Sequence, residues 1–302
     1  MTSVSFIIPV YNKSLYLKNV INSLRNQTGN FQREFIFIDD GSTDNSLDIL
    51  KNETRDLSCV KIVEQKNFGS AHATNQGIKI SEMKYIKFLD ADDVILSDST
   101  ISLMNILEKN KSLVLSYGLQ RKVSDLRVVD LFEKFDQKNF STIDNNIFLA
   151  MRNSMFNPSQ CLVRTSLCKK VGGCDERIKF SQEYSLTLKL SILGSFAKLN
   201  FPTAVLPIKA PGQLSEKKHN QIFRVSKALE LFISDNPSLD IKYQLFAQRR
   251  LTARAWRFAR RYKKAGYNSK WFKLYLRGLF RSRGDIIENC RRANQVYEEF
   301  MN

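Results

Sequence analysis

YIKFLDADDVI, residues 85–95, is an apolar run that stops abruptly in three acids, Asp90, Asp92 and Asp93. A buried strand followed by one Asp is ordinary, because Asp caps the next helix. Three acids in four positions are not. Like charges so close repel one another and raise each other's pKa unless a cation lies between them. A hard divalent cation, Mg²⁺ or Mn²⁺, takes one or two carboxylates together with the oxygens of a diphosphate. The stretch therefore reads as a strand whose carboxyl end presents charge to a ligand.

Working outward, the same pattern repeats. VSFIIPVY (4–11) is a continuous apolar run, followed by Leu17, Val20, Ile21 and Leu24 at helical spacing. EFIFIDDG (34–41) is a second strand ending in acids, with Thr43 or Asp44 placed to cap the helix through Leu47, Ile49 and Leu50. CVKIVEQ (59–65) and a helix over SAHATNQGIKI (70–80) follow, then the opening stretch, a helix through Ile101, Met104 and Leu107, and SLVLSYG (112–118). Strand alternating with helix implies an α/β fold with a mostly parallel sheet and helices on both faces. Ligands of such folds bind beyond the carboxyl ends of the strands. Asn12, Asp39, Asp40, Asp90 and Asp92 all fall at that edge. Farther on, CLVR (161–164) reads as a short strand and 181–193 as a helix.

The motifs, in order, are FIIPVYN, RNQT, FIFIDDGSTDNS, KNFGSAHATNQGI, FLDADD and VGGCDERIKFSQEYSLTLKL. Together they resemble the inverting glycosyltransferases of family 2, over roughly residues 3–193. No GxGxxG follows the first strand, which argues against a nicotinamide-binding Rossmann domain. The resemblance implies the GT-A fold, a Rossmann-like sheet flanked by helices, and transfer of a sugar from a nucleotide-diphospho-sugar to an acceptor hydroxyl. It implies Pro9, Val10, Tyr11 and Asp39 around the base and ribose, Asn67 as a further donor contact, and Asp90 and Asp92 at the metal and diphosphate. It also implies a catalytic base at Glu183. There the family usually has Glu-Asp and this chain has Gln182-Glu183, so the base gains a methylene. A second departure is Thr74 before Asn75, where the family often has Arg. Inverting transfer needs a carboxylate to take the acceptor's proton. By itself, Glu183 reads first as a solvated acid in a helix's first turn, and only the resemblance turns it into a base. Lys217, Lys218 and His219, after APGQLSE, read as an exposed basic helix start or as cations brought to the diphosphate, and His72 reads as a helix-surface or packing residue.

The 302-residue chain carries a net charge of +17, of which +12 lies in residues 241–302. The expected division is a catalytic domain over 1–215 and a basic helical extension over 216–302. Leu251, Ala255, Phe258 and Ala259 make one apolar stripe of that extension, and Trp271, Phe272, Leu274, Tyr275, Leu276 and Leu279 make a second. With few acids between its many cations, the extension calls for an anionic partner. The expectation is peripheral contact with an anionic membrane, Trp271 at the interface, beside a glycan or lipid-linked acceptor. Nucleic acid also suits a basic, aromatic-rich stretch, but it leaves the acidic sheet edge unexplained. A silent, sugar-nucleotide-binding member is the other alternative. No apolar run approaches the ~18 residues of a membrane span. The N-terminus does not read as a signal peptide. Five scattered cysteines read as small buried residues of a reducing compartment, so a cytoplasmic location is expected. The pathway expected for such an enzyme is bacterial surface polysaccharide or lipopolysaccharide synthesis.

Overall fold

The computed structural model describes residues 2–135, 140–144, 146–178, 182–208, 218–280 and 286–301, leaving aside the side chains at 182, 218–220 and 301. The chain divides into two compact units, Met1–Asn146 with Ser154–Leu214, and Ile147–Asn153 with Ser215–Asn302.

The first unit is built on a sheet that contains nine strands among the described residues. In chain order its elements are β1 (Ser3–Val10), α1 (Ser14–Arg25), β2 (Gln32–Asp39), α2 (Ser46–Glu53), β3 (Val60–Glu64), α3 (Ser70–Ile80), β4 (Tyr85–Phe88), β5 (Val94–Ile95) and α4 (Ser99–Lys109). Then come β6 (Leu115–Val123), β7 (Phe140–Ile143), α5 (Asn146–Arg152), β8 (Cys161–Arg164), α6 (Thr165–Lys170), α7 (Gln182–Ser191) and β9 (Phe196–Pro207). The sheet order is β3-β2-β1-β4-β8-β6-β9-β5, with β7 paired to β9. β3, β2, β1 and β4 run parallel; β8 is antiparallel to both β4 and β6.

Strand periodicity sorts the core into two layers. Val4, Phe6, Ile8 and Val10 of β1, with Phe35 and Phe37 of β2, face α1 and α4 residues such as Leu17, Ile21 and Leu103. Ile7, Ile36, Ile38 and Ile86 face the opposite way, into Ala73, Ile78, Leu186 and Leu190 of α3 and α7. The α3 packing is close: a Cβ on Gly77 would lie 2.4 Å from Cγ2 of Ile7, so this helix position admits only glycine without rearrangement. Every parallel strand therefore points its carboxyl end to one edge, where the acidic residues collect.

Four cysteines are buried, as small core residues should be, but Cys59 is exposed; all five are free thiols. The cap position of α2 is Asn45, one residue beyond the expected Thr43 or Asp44, and its side chain makes no capping bond. The Asp44 carboxylate instead accepts from the amides of Ser46, at the start of α2, and of Ser14, at the start of α1.

The second unit is helical: α8 (Lys218–Asp235), α9 (Ile241–Lys263), α10 (Lys270–Leu279) and α11 (Ile286–Met301), joined by residues 147–153, so that all of α5 but its first residue belongs here rather than to the first unit. The stripe Leu251, Ala255, Phe258 and Ala259 is buried as its spacing implied. Trp271 corrects the sequence reading. It is 5% exposed and, with Leu274 and Gly278, forms the inward face of α10, so it anchors the helix and presents nothing to an interface. No helix among the described residues is long and apolar enough to cross a membrane.

Candidate active site

The carboxyl ends of β1 and β2 are tied together by side chain-to-backbone bonds. Asn12, in a left-handed conformation (φ 52°), donates its amide to Ser42 Oγ at 3.1 Å and accepts from the Thr43 amide at 2.7 Å. The Lys13 amide donates to Ser46 Oγ at 2.8 Å. Beside them the two adjacent acids at the end of β2, Asp39 its last residue and Asp40 just beyond, have different work. Asp40 accepts from Gln65 Nε2, the Phe68 amide and the Gly69 amide at 2.7, 2.9 and 2.9 Å, which fixes the loop that carries Asn67. Gly41 lets that loop approach: its φ is +73° and a Cβ there would lie 3.0 Å from the Asn67 amide nitrogen.

Asp39 is buried, and one of its oxygens accepts from the Ser42 amide at 3.2 Å. The other, Oδ1, has no partner among the described residues. A buried acceptor left unpaired costs about 1–3 kcal/mol, so Asp39 Oδ1 has the capacity to take an N–H or O–H from outside the chain. Pro9 is partly exposed, Val10 is buried, and the Tyr11 and Asn67 side chains stand out into solvent at the same edge. His72 packs against Phe68, with Gln65 Nε2 3.2 Å from its Nδ1. Asn75 binds backbone, accepting from the Cys174 amide at 2.7 Å and donating to the Cys174 carbonyl at 3.0 Å. Thr74 is buried.

The three acids that close β4 are sorted by their neighbours. Asp93 points inward and accepts from Ser159 Oγ at 2.6 Å; burial, and then the Asp90 and Asp92 charges, push its carboxyl well up. Asp92 is paired with Lys13 Nζ at 2.6 Å. The Asp90 carboxylate accepts no hydrogen bond from a described residue, although its backbone is held, the amide donating to Ser159 Oγ at 3.0 Å and the carbonyl accepting from the Asp93 amide at 3.0 Å. Burial above all, and then repulsion from Asp92 and Glu183, raises its carboxyl to about 7. Below them Lys87, fully buried, donates to the Ser159 and Phe88 carbonyls, and burial lowers it to about 8.

Glu183 enters from the first turn of α7, where burial raises its pKa. It shares with Asp90 the wall of a cavity of about 450 Å³, counting the part open to solvent. Phe156, Cys161, Leu186 and Leu190 make much of the remaining lining. The cavity therefore brings two mutually repelling carboxylates together in a largely apolar enclosure. That environment suits one of them to accept a proton near neutral pH.

No group of three or more His, Cys, Asp or Glu side chains is placed to hold a metal by itself among the described residues. The donor set still suits a hard cation carried with a diphosphate: the Asp90 carboxylate has no hydrogen bond among the described residues and is repelled by its neighbours, and a cation would relieve it. Lys217 lies outside the described residues, as do the side chains of Gln182, Lys218 and His219. Lys13, Lys87 and Ser159 were not singled out from the sequence. A lysine inside the apolar run YIKFL was a usable signal, since buried lysines are rare; Ser159 offered none.

The family model for glycosyl transferase family 2 matches residues 5–172. A glycosyltransferase of Haemophilus influenzae is 40% identical over 120 residues, 39% of this chain and 47% of that protein. The chondroitin synthase of Escherichia coli is 28% identical over 201 residues, 65% of this chain and 28% of the synthase. The chain thus spans less than half the length of these two curated relatives. Among solved structures, S. aureus TarS residues 1–349 superimposes with a TM-score of 0.64 at 17% identity, covering 99% of this chain and 92% of that one. The same TarS fragment in complex with UDP-GlcNAc gives 0.61 at 16% identity, with the same coverage.

Proposed function

Because the chain belongs to glycosyl transferase family 2, we propose that it transfers a sugar from a nucleotide-diphospho-sugar to an acceptor hydroxyl with inversion. The observation that carries this reading is the shared cavity of Asp90 and Glu183 at the carboxyl edge of the parallel strands. Asp39 Oδ1 takes a hydrogen from the base or ribose, with Pro9, Val10, Tyr11 and Asn67 around it. Asp90 and Asp92 would hold Mg²⁺ or Mn²⁺, which when bound supplies positive charge against the departing diphosphate. Glu183, raised by burial, takes the proton of the acceptor hydroxyl as that oxygen attacks the sugar carbon from the face opposite the diphosphate. The apolar lining keeps competing water from that carbon.

The acceptor proposed is a glycan or lipid-linked glycan on the cytoplasmic side, in surface polysaccharide or lipopolysaccharide synthesis. The chondroitin synthase relationship supports a polysaccharide product. Binding of UDP-GlcNAc by TarS supports the donor class.

Thermal unfolding with a panel of UDP- and GDP-sugars, with and without Mn²⁺, tests the donor side. A cognate donor at 100 times its Kd adds about 2.7 kcal/mol, a rise of roughly 4 °C in Tm. Single-stranded oligonucleotide stabilising the protein while no sugar nucleotide does would refute the reading. Turnover by the wild-type protein separates an enzyme from a silent binder.

A further inference from the structure

Residues 241–280 contain 12 Lys and Arg and no Asp or Glu. Within them α10 has three distinct faces. Trp271, Leu274 and Gly278 are inward. Phe272, Tyr275, Leu276 and Leu279 recur at helical spacing as a second, apolar stripe, on which Leu276 and Leu279 are 39% and 42% exposed. Lys270, Lys273 and Arg277 form the third, and all three side chains are exposed. Phe280, 69% exposed, follows the helix directly.

The apolar stripe continues off the helix. Tyr267, 66% exposed, meets Phe272 edge-on with ring centroids 5.0 Å apart. Both rings contact Trp256, over which Arg260 lies. Lys270 shares Glu299 with Lys263, whereas Lys273 and Arg277 make no ion pair among the described residues.

A helix whose outward half is divided lengthwise into an apolar and a cationic strip has an unusual surface. Water solvates only one strip well, and a folded partner of ordinary composition matches neither whole. The boundary of a bilayer matches both, with acyl chains for the apolar strip and headgroups for the cations. Anionic headgroups make the match electrostatic as well. Nucleic acid fits less well, because Leu276 and Leu279 offer no ring to stack on a base.

We propose that the outward face of α10, with Tyr267 and Phe280, docks the protein onto an anionic lipid surface, lying along it without crossing. Leu276, Leu279 and Phe280 enter the headgroup layer, and Lys273 and Arg277 face its phosphates. This goes beyond the transfer reaction and is read independently of it, since none of these residues lies at the sheet edge.

The test is co-sedimentation of the full chain with phosphatidylcholine vesicles, with or without one third phosphatidylglycerol, at low and high salt. Binding is expected only with the anionic lipid, and weakened by salt. Lys273→Ser with Arg277→Ser should reduce it roughly 30-fold, about fivefold per cation. Leu276→Ser with Phe280→Ser should reduce it about tenfold or more. Both pairs are exposed, so an unchanged Tm verifies that folding is intact. No partition, equal binding to zwitterionic vesicles, or wild-type binding by both variants overturns the proposal. Tighter binding of a single-stranded oligonucleotide through these same residues also overturns it.

Discussion

Glu183→Gln is expected to reduce turnover by roughly 10²-fold or more while donor affinity stays within about twofold of wild type. The amide keeps the size and much of the hydrogen bonding of the acid but cannot take a proton. On the proposed function the donor is held at the β1, β2 and β4 ends, so its affinity has no reason to follow. Burial raises the Glu183 carboxyl above the ordinary range, and the active form of a base is the ionised one. The acid limb of the wild-type pH–rate profile should therefore lie above the ordinary glutamate value of 4.5, and the Gln variant should lose that limb. Steady-state kinetics of the two proteins across pH measures both effects. A variant within a few-fold of wild type, or one that keeps the same acid limb, removes Glu183 from the role of base.

Asp90→Asn should divide metal-assisted binding from folding. With Mn²⁺ present, affinity for the cognate sugar nucleotide should fall by at least roughly tenfold, as one of two carboxylates for the cation is lost. Without metal the variant should be the more stable protein at alkaline pH. Asp90 titrates near 7 in the folded chain, against 3.8 for an ordinary Asp. Its contribution is therefore fully present below about pH 4 and is lost as pH rises through 7. Asn carries no charge at any pH, so the two proteins should be similar near pH 4 and differ by up to a few kcal/mol at pH 8. Urea unfolding in chelator at both pH values checks the sign; a difference independent of pH would show that Asp90 is not the strained acid. The sequence alone assigns this relief of repulsion to Asp92→Asn as well. The Lys13 bridge makes that variant different, because it would strand a largely buried ammonium group.

Much of the fold was legible because the strands are buried on both faces and read as apolar runs. The helix expected over 70–80 coincides with α3, entered past Gly69 at φ +95° and ended at Ser81. The second half of β6 was not legible. After Gly118 it runs through exposed Leu119, Gln120 and Lys122, and only pairing with β9 makes it a strand. β9 itself contains Pro202 and ends on Pro207, which broke its pattern into pieces. At the site, which strands end in acid was visible, but how those acids divide their work was not. Asp93 bonds a serine 66 residues away and Asp92 a lysine 79 residues away. Contacts of that separation leave no local pattern. In α10 the aromatic character of Trp271 was plain, whereas its inward direction depends on which stripe the neighbouring helices cover.

The cross-bonding of the β1, β2 and β3 loops bears on how donors are told apart. Amides of Asn12, Lys13, Ser14, Thr43, Phe68 and Gly69 are each already held by a side chain of a neighbouring segment, and that of Ser42 by Asp39 of its own loop. If the donor binds there as proposed, it meets a wall set during folding, so little ordering of backbone should accompany its capture. Selectivity on such a wall is a matter of misfit rather than of closure. Single replacements of the outward side chains, Tyr11 and Asn67 among them, should then shift donor preference independently of one another. Slow amide exchange in these loops without nucleotide, and little further slowing with it, is the signature of that rigidity.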